Sequence, residues 1–142
     1  MRVAIAADHG GYELKEALKR HFAAYDFTDL GTNSSESVDY PDYGAALARR
    51  VAAGEFDRGI LICGSGIGIS IAANKVKGIR AALCHNAYTA EMSRRHNDAN
   101  VIAMGGRVVD EKTAVAMTDI FLKTEFEGGR HAARVAKISA LE

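Results

Sequence analysis

The chain predicts an α/β fold in which helices cover both faces of a parallel sheet. Three observations carry that expectation. Short apolar runs alternate with segments of helical periodicity along the whole sequence. The runs "VAIAA", "GILIC" and "NVIAM" are nearly continuous in apolar residues, as strands buried on both faces are. No linker, internal repeat or low-complexity segment interrupts the pattern, so the 142 residues read as one domain, residues 1–142.

Each element follows in order. Val3–Ala7 reads as a first buried strand. In "YELKEALKRHFAAY", Tyr12, Leu14, Leu18 and Phe22 stand at helical spacing, which predicts a helix over that segment. "DFTDL" is a weak second strand. "GTNSSESVDYPDY" is a polar loop, and Pro41 suits the first turn of the next helix, which runs to about Ala53 and stops at Gly54. "GILIC" is a third strand, "RAALC" a fourth and "NVIAM" a fifth. Helices fill the gaps at about 67–75, 87–95 and 111–123, and a C-terminal helix covers about 129–140. Strands separated by helices imply βαβ units. Strand order does not follow from the pattern.

Composition narrows the function. Apolar residues make up 48% and charged residues 25% of the chain, ordinary values for a globular protein. Lys+Arg and Asp+Glu are both 18, so no net field favours nucleic acid or an anionic membrane. Two cysteines make no disulfide framework. The apolar run in "MRVAIAADHG" is too short for a signal peptide core. No apolar stretch approaches the ~18 residues of a membrane span. A cytoplasmic protein with reduced thiols is expected.

Ligands of open parallel sheets bind beyond the carboxyl ends of the strands. The residues that follow the strands are Asp8-His9-Gly10-Gly11, Cys63-Gly64-Ser65-Gly66-Ile67-Gly68, Cys84-His85-Asn86 and Gly105-Gly106-Arg107. The glycine turn after Cys63 is none of several common sites. A dinucleotide fingerprint starting at Gly64 needs a glycine where Ile69 stands, and an acidic residue where Leu83 and Cys84 stand. The Gly-Lys-Ser/Thr of a P-loop is absent. A cysteine phosphatase loop would carry Arg at Ile69, and a phosphoacceptor domain would carry Asp at Cys63. What remains is a strand, a turn and a helix N-terminus, which aims N–H groups and a partial positive charge at an anion.

Cys63 ends a buried strand beside that turn, a setting that favours thiolate chemistry. An isolated cysteine is more often plain core, and Cys84, with no such turn, is read as structural. His96, in "HND" after a helical segment, and Asp8-His9 after the first strand suit general acid–base work. As local structure they are equally a helix cap and an Asx turn. Arg130 and Arg134 stand at i and i+4 on one helix face. With Arg107 they suit a phosphate clamp, or else form a solvated basic face. The five histidines are scattered outside any metal-binding spacing, so no metal and no cofactor are expected. A thiol, imidazoles, a carboxylate, an anion hole and arginines together suit proton transfer on a phosphorylated substrate.

These residues carry a resemblance. "ADHGG", "GTNSSESVDYPDY", "GILICGSGIGISIAANK", "SRRHNDANVIAMGGRVV" and "EGGRHAAR" resemble the ribose-5-phosphate isomerase B family, from about Arg2 to Leu141. That family also includes allose-6-phosphate and galactose-6-phosphate isomerases. The resemblance implies a Rossmann-like three-layer α/β/α domain with five parallel strands and a C-terminal helix. It implies a homodimer or homotetramer, and a metal-free aldose–ketose isomerase of the pentose phosphate pathway. By resemblance, Cys63 is the base that moves a proton between C1 and C2, and Ser65 assists it. Gly64, Gly66, Ile67 and Gly68 stabilise the enediolate. His96 and Asp8 open the furanose ring, and Asn97 and Tyr40 contact the sugar. His9, Arg107, Arg130 and Arg134 bind the phosphate. Some members lack this cysteine and use a glutamate six positions on, where this chain has Ile69. Asn33 departs from the aromatic residue some members carry. Another aldose phosphate (allose 6-phosphate, galactose 6-phosphate or a tetrose phosphate) remains open, as does a sugar-phosphate-binding module without catalysis.

Overall fold

A computed structural model describes all residues, Met1–Glu142. Five parallel strands form one sheet: β1 Val3–Ala7, β2 Thr28–Asp29, β3 Arg58–Cys63, β4 Ala81–Leu83 and β5 Val101–Gly105. Their order is β2-β1-β3-β5-β4. The helices are α1 Tyr12–His21, α2 Tyr40–Ala52, α3 Ile67–Ala73, α4 Ala87–Arg95, α5 Glu111–Lys123 and α6 Arg130–Ser139. No helix is long and apolar enough to cross a membrane.

The strands are continuous in apolar residues because both faces are covered. Val3, Ile5 and Ala7 point to one face with Ile60, Ile62, Ile102 and Met104, where Leu14 and Leu18 of α1 and Met117 and Phe121 of α5 meet them. Ala4, Ala6, Leu61, Cys63, Val101 and Ala103 point to the other, against Leu47, Ala48 and Val51 of α2 and Ile69 and Ala73 of α3. Alternation along each strand thus splits one apolar run between two cores. Burying a Leu or Ile side chain contributes about 1.5–3 kcal/mol. The register is in line across the centre, with Ala7 opposite Ile62 and Cys63 opposite Gly105.

Local chemistry sets the helix starts. Pro41 occupies the first turn of α2. Asn86 and Thr89 form a reciprocal cap on α4, and Asp110 accepts the Thr113 amide on α5. The first helix ends earlier than its periodicity suggests. It stops at His21, and Ala23–Tyr25 tightens into a 3-10 turn that closes on left-handed Asp26. That turn lets Phe22, Tyr25 and Phe27 pack on one another, with ring centroids 5.8–5.9 Å apart. The weak β2 is anchored by charge. Lys15, fully buried, and Lys19 both donate to the Asp29 carboxylate.

Strand order decides where a ligand can enter. After β1 the chain moves outward to β2, and after β3 it moves the other way, to β4 and β5. The carboxyl ends of β1 and β3 therefore flank the switch point of the sheet, where a crevice opens.

Candidate active site

The switch point brings Asp8 and Cys63 to one crevice. Cys63 is 4% exposed and its Sγ accepts the Gly66 N–H at 3.1 Å. Gly66 has a φ of 78°, a left-handed turn that a residue with a Cβ adopts at a cost. That conformation folds the amide back onto the sulfur. Ser65 is exposed, and its Oγ accepts the Ile67 N–H at 3.2 Å. The Gly64 and Ser65 amides donate to no group of the protein, so two N–H donors beside the thiol are left free. The start of α3 at Ile67 adds its dipole.

Asp8 is 6% exposed, and its Oδ1 accepts the Gly10 N–H at 2.8 Å. The segments after β1, β3 and β5 touch backbone to backbone. A Cβ on Gly10 would fall 2.9 Å from the Gly64 nitrogen, and one on Gly106 would fall 3.3 Å from the Gly11 Cα. Gly106 and Arg107 amides donate to the Cys63 and Gly64 carbonyls at 2.8 and 3.0 Å. The Arg107 side chain lies against Gly64 and the Tyr40 ring against Gly68, each where a side chain would otherwise stand. His9 Nδ1 accepts the Val38 N–H at 3.2 Å, which ties the crevice to the polar loop before α2. Asp8, His9, Tyr40, Arg107 and the Cys63–Gly68 turn therefore share one rim.

His96, Asn97, Arg130 and Arg134 do not join them within one chain. Helix α4 starts at the carboxyl rim and returns to the amino end, so His96, its C-cap, lies at the opposite end of the sheet. The residues of β5 that follow span about 16 Å. The expected clamp is divided likewise: Arg107 stands at the carboxyl rim, while Arg130 and Arg134 stand on α6 near His96.

Side chains hold this second region. Arg94 is 2% exposed and donates to Asp98 Oδ1 at 2.9 Å, to the Ala99 carbonyl at 2.6 Å and to the Thr124 carbonyl at 3.1 Å. Arg80 donates to the carbonyls of Asn97 and Asp98, both at 3.1 Å through Nε. Asp98 has a left-handed φ of 46°, held by these arginines. The Glu127 amide donates to the Arg95 carbonyl at 3.1 Å, which brings the α5–α6 loop under α4. His131 then stacks on His96 with centroids 4.2 Å apart. Burial holds His131 below the usual histidine pKa, with the charges of His96, Arg130 and Arg134 acting in the same direction and Glu127 opposing.

Sequence reasoning passed over Arg94, Glu127 and His131. The available signals were their i,i+4 pairings, Arg94 with Asp98 and Glu127 with His131. Cys84 is a buried core thiol, pushed up in pKa by burial, as its plain surroundings suggest.

Comparisons with known proteins bear on the fold and the family. Residues 3–138 match the family described as Ribose/Galactose Isomerase. Ribose-5-phosphate isomerase B of Escherichia coli (strain K12) is 49% identical over 99% of this chain and 96% of its own length. The putative sugar phosphate isomerase YwlF of Bacillus subtilis (strain 168) is 51% identical over 100% of this chain and 97% of its own. Among solved structures, ribose-5-phosphate isomerase B of Clostridium thermocellum superimposes with a TM-score of 0.96 at 55% identity, covering 99% of this chain and 97% of that one. The Mycoplasma genitalium ribose-5-phosphate isomerase B with bound ribulose-5-phosphate does so with a TM-score of 0.94 at 42% identity, covering 99% and 95%. By its motifs, its three-layer fold and these full-length likenesses, the chain belongs to the ribose/galactose isomerase family.

Proposed function

We propose that the protein interconverts D-ribose 5-phosphate and D-ribulose 5-phosphate through a cis-enediolate. The observation that carries this reading is the buried Cys63 thiol, contacted by the Gly66 N–H and flanked by the free amides of Gly64 and Ser65. Full-length relatives named ribose-5-phosphate isomerase B support the substrate.

Each step has a group suited to it. Asp8 and His96 open the furanose by moving protons between the ring oxygen and the anomeric hydroxyl. Cys63, as thiolate, removes the proton from C2. Negative charge then develops on O1, where preorganised amides stabilise it most. Ser65 assists the base, the O2 hydroxyl proton passes to O1, and the thiol returns the carbon-bound proton to C1 as the carbonyl forms at C2. General base and anion hole each contribute roughly 10²–10³-fold. Arg107, Arg130, Arg134 and His9 hold the phosphate, while Asn97 and Tyr40 contact the sugar. The chemistry moves only protons, so it needs no redox cofactor.

A homodimer completes the site, with His96, Asn97, Arg130 and Arg134 of one copy facing the Cys63 rim of the other. The distance between the two groups in one chain supports this arrangement. So does apolar surface: Ile67, Ile71, Leu83, Tyr88 and Val108 are exposed around the carboxyl rim, and α6 buries only His131. A free catalytic thiol suits the reducing cytoplasm.

The test is a panel of ribose 5-phosphate, allose 6-phosphate, galactose 6-phosphate and erythrose 4-phosphate, assayed for ketose formation without added metal. Ribose 5-phosphate is expected to show the highest kcat/KM. A higher value for a six- or four-carbon substrate moves the assignment to that sugar. Binding without turnover in every case overturns catalysis.

A further inference from the structure

Three donor groups meet at the amino end of the sheet in a way that sugar chemistry does not ask of them. His96 and His131 stack with planes 12° apart. Glu127 lies four residues before His131, in the loop that leads into α6, and its Oε1 lies 3.8 Å from His131 Nε2. One donor atom from each residue lies within 4.8 Å of the other two. His131 is 5% exposed, yet its Nε2 has no hydrogen-bond partner. Buried ring nitrogens are normally paired, so an orphan aimed into such a cluster points to a missing partner.

We propose that His96, Glu127 and His131 form a binding site for a transition-metal dication of the Zn²⁺ type, and that metal bound there withdraws His96 from catalysis. The inhibitory half rests on the role proposed for His96; the binding half does not.

Two imidazoles and one carboxylate are ligands for Zn²⁺ and its neighbours, whereas Mg²⁺ and Ca²⁺ prefer oxygen alone. Tetrahedral coordination with bonds of about 2.0–2.1 Å sets ligand atoms roughly 3.3–3.4 Å apart. The Glu127–His131 separation of 3.8 Å is too long for a hydrogen bond and close to that bite. A metal ion lies in the plane of each imidazole it binds, so the stacked rings cannot both address it unchanged. His96, half-buried at the helix end, is the ring free to swing, while His131 is packed. Arg130 and Arg134 repel a cation, which sets the affinity below that of a structural zinc site.

The test titrates Zn²⁺ alone into the protein by calorimetry and uses Co²⁺ as an optical probe, with turnover followed in parallel. One ion per chain is expected, with turnover falling as the site fills. Glu127→Gln, an exposed change, is expected to keep metal-free turnover and to weaken binding at least tenfold; His131→Gln is expected to weaken it likewise. Bound Co²⁺ is expected to show tetrahedral bands without thiolate charge transfer. Three results overturn the site: no binding, binding unchanged by Glu127→Gln, or a thiolate band that places the ion on Cys63. Stoichiometric binding with full turnover overturns the inhibitory half. His96→Ala, assayed alongside, then shows whether the role of His96 itself has failed.

Discussion

The two ends of the sheet are built by different means. At the carboxyl rim, Gly10, Gly64 and Gly106 bring three segments together backbone to backbone, and the Cys63 sulfur is met by an amide. At the amino end, Arg94, Arg80 and the His131 ring hold the His96 segment through long side chains. A rim made of backbone leaves little room for variation, since a Cβ at Gly10 or Gly106 would strike main chain. A region made of side chains can be adjusted one group at a time. The first arrangement suits a base and an anion hole, which need fixed geometry. The second suits groups that approach from another subunit.

The sharpest way to break this comparison is to cut one residue at each end. Cys63→Ala is expected to lower kcat roughly 10²-fold or more with the fold retained by circular dichroism. His96→Ala is expected to be slow on furanose substrate. Mixed under conditions that exchange subunits, the two inactive proteins are expected to regain activity, at about half of wild type per heterodimer, because one site in each pair is intact. If both groups served one chain's site, the mixture would stay inactive.

Arg94→Lys tests the amino end alone. A lysine cannot reach the three acceptors that the guanidinium fork serves, so unfolding free energy is expected to drop by about 2–3 kcal/mol, read by urea titration. Turnover is expected to fall with it, because the His96 segment loses its anchor. A loss of stability without a change in kcat would mean that Arg80 alone positions His96.

Arg134→Ala tests the proposed contact to the phosphate, a group that does not react. KM is expected to rise roughly tenfold with kcat nearly unchanged, and inorganic phosphate is expected to compete less well. An unchanged KM would leave Arg134 as surface charge.

The smallest effect is expected at the other thiol. Cys84 follows β4 near the rim but lacks the glycine turn, and burial pushes its pKa up. Cys84→Ala is expected to keep turnover and to cost about 1 kcal/mol of stability. Alkylation of the wild-type protein is expected at Cys63, with substrate protecting it. Modification of Cys84 instead would mean that the glycine turn does not set reactivity.

Much of this was legible in the sequence for identifiable reasons. The strands Val3–Ala7, Arg58–Cys63 and Val101–Gly105 are apolar on both faces, and α4 and α5 begin at the capping residues Asn86 and Asp110. The glycine turn after Cys63 was readable because alternating glycines at a strand end have few other uses. The early end of α1 at His21 was not, since Phe22 continues the helical spacing while packing on Tyr25 and Phe27 instead. Nor was the burial of Lys15 and Arg94, which look like solvated charges until Asp29 and Asp98 are placed beside them.

By itself the sequence determined the fold class and the family and named the residue types of a candidate site, because periodicity, capping and glycine turns act within a few residues of chain. Tertiary structure alone decided that Asp8 and Cys63 share a crevice, that His96 lies at the far end of the sheet, and that His131 and Glu127 close around it. These are relations between segments dozens of residues apart, set by strand order and by the return path of each helix. No local pattern records that path; it follows from which faces must be buried together.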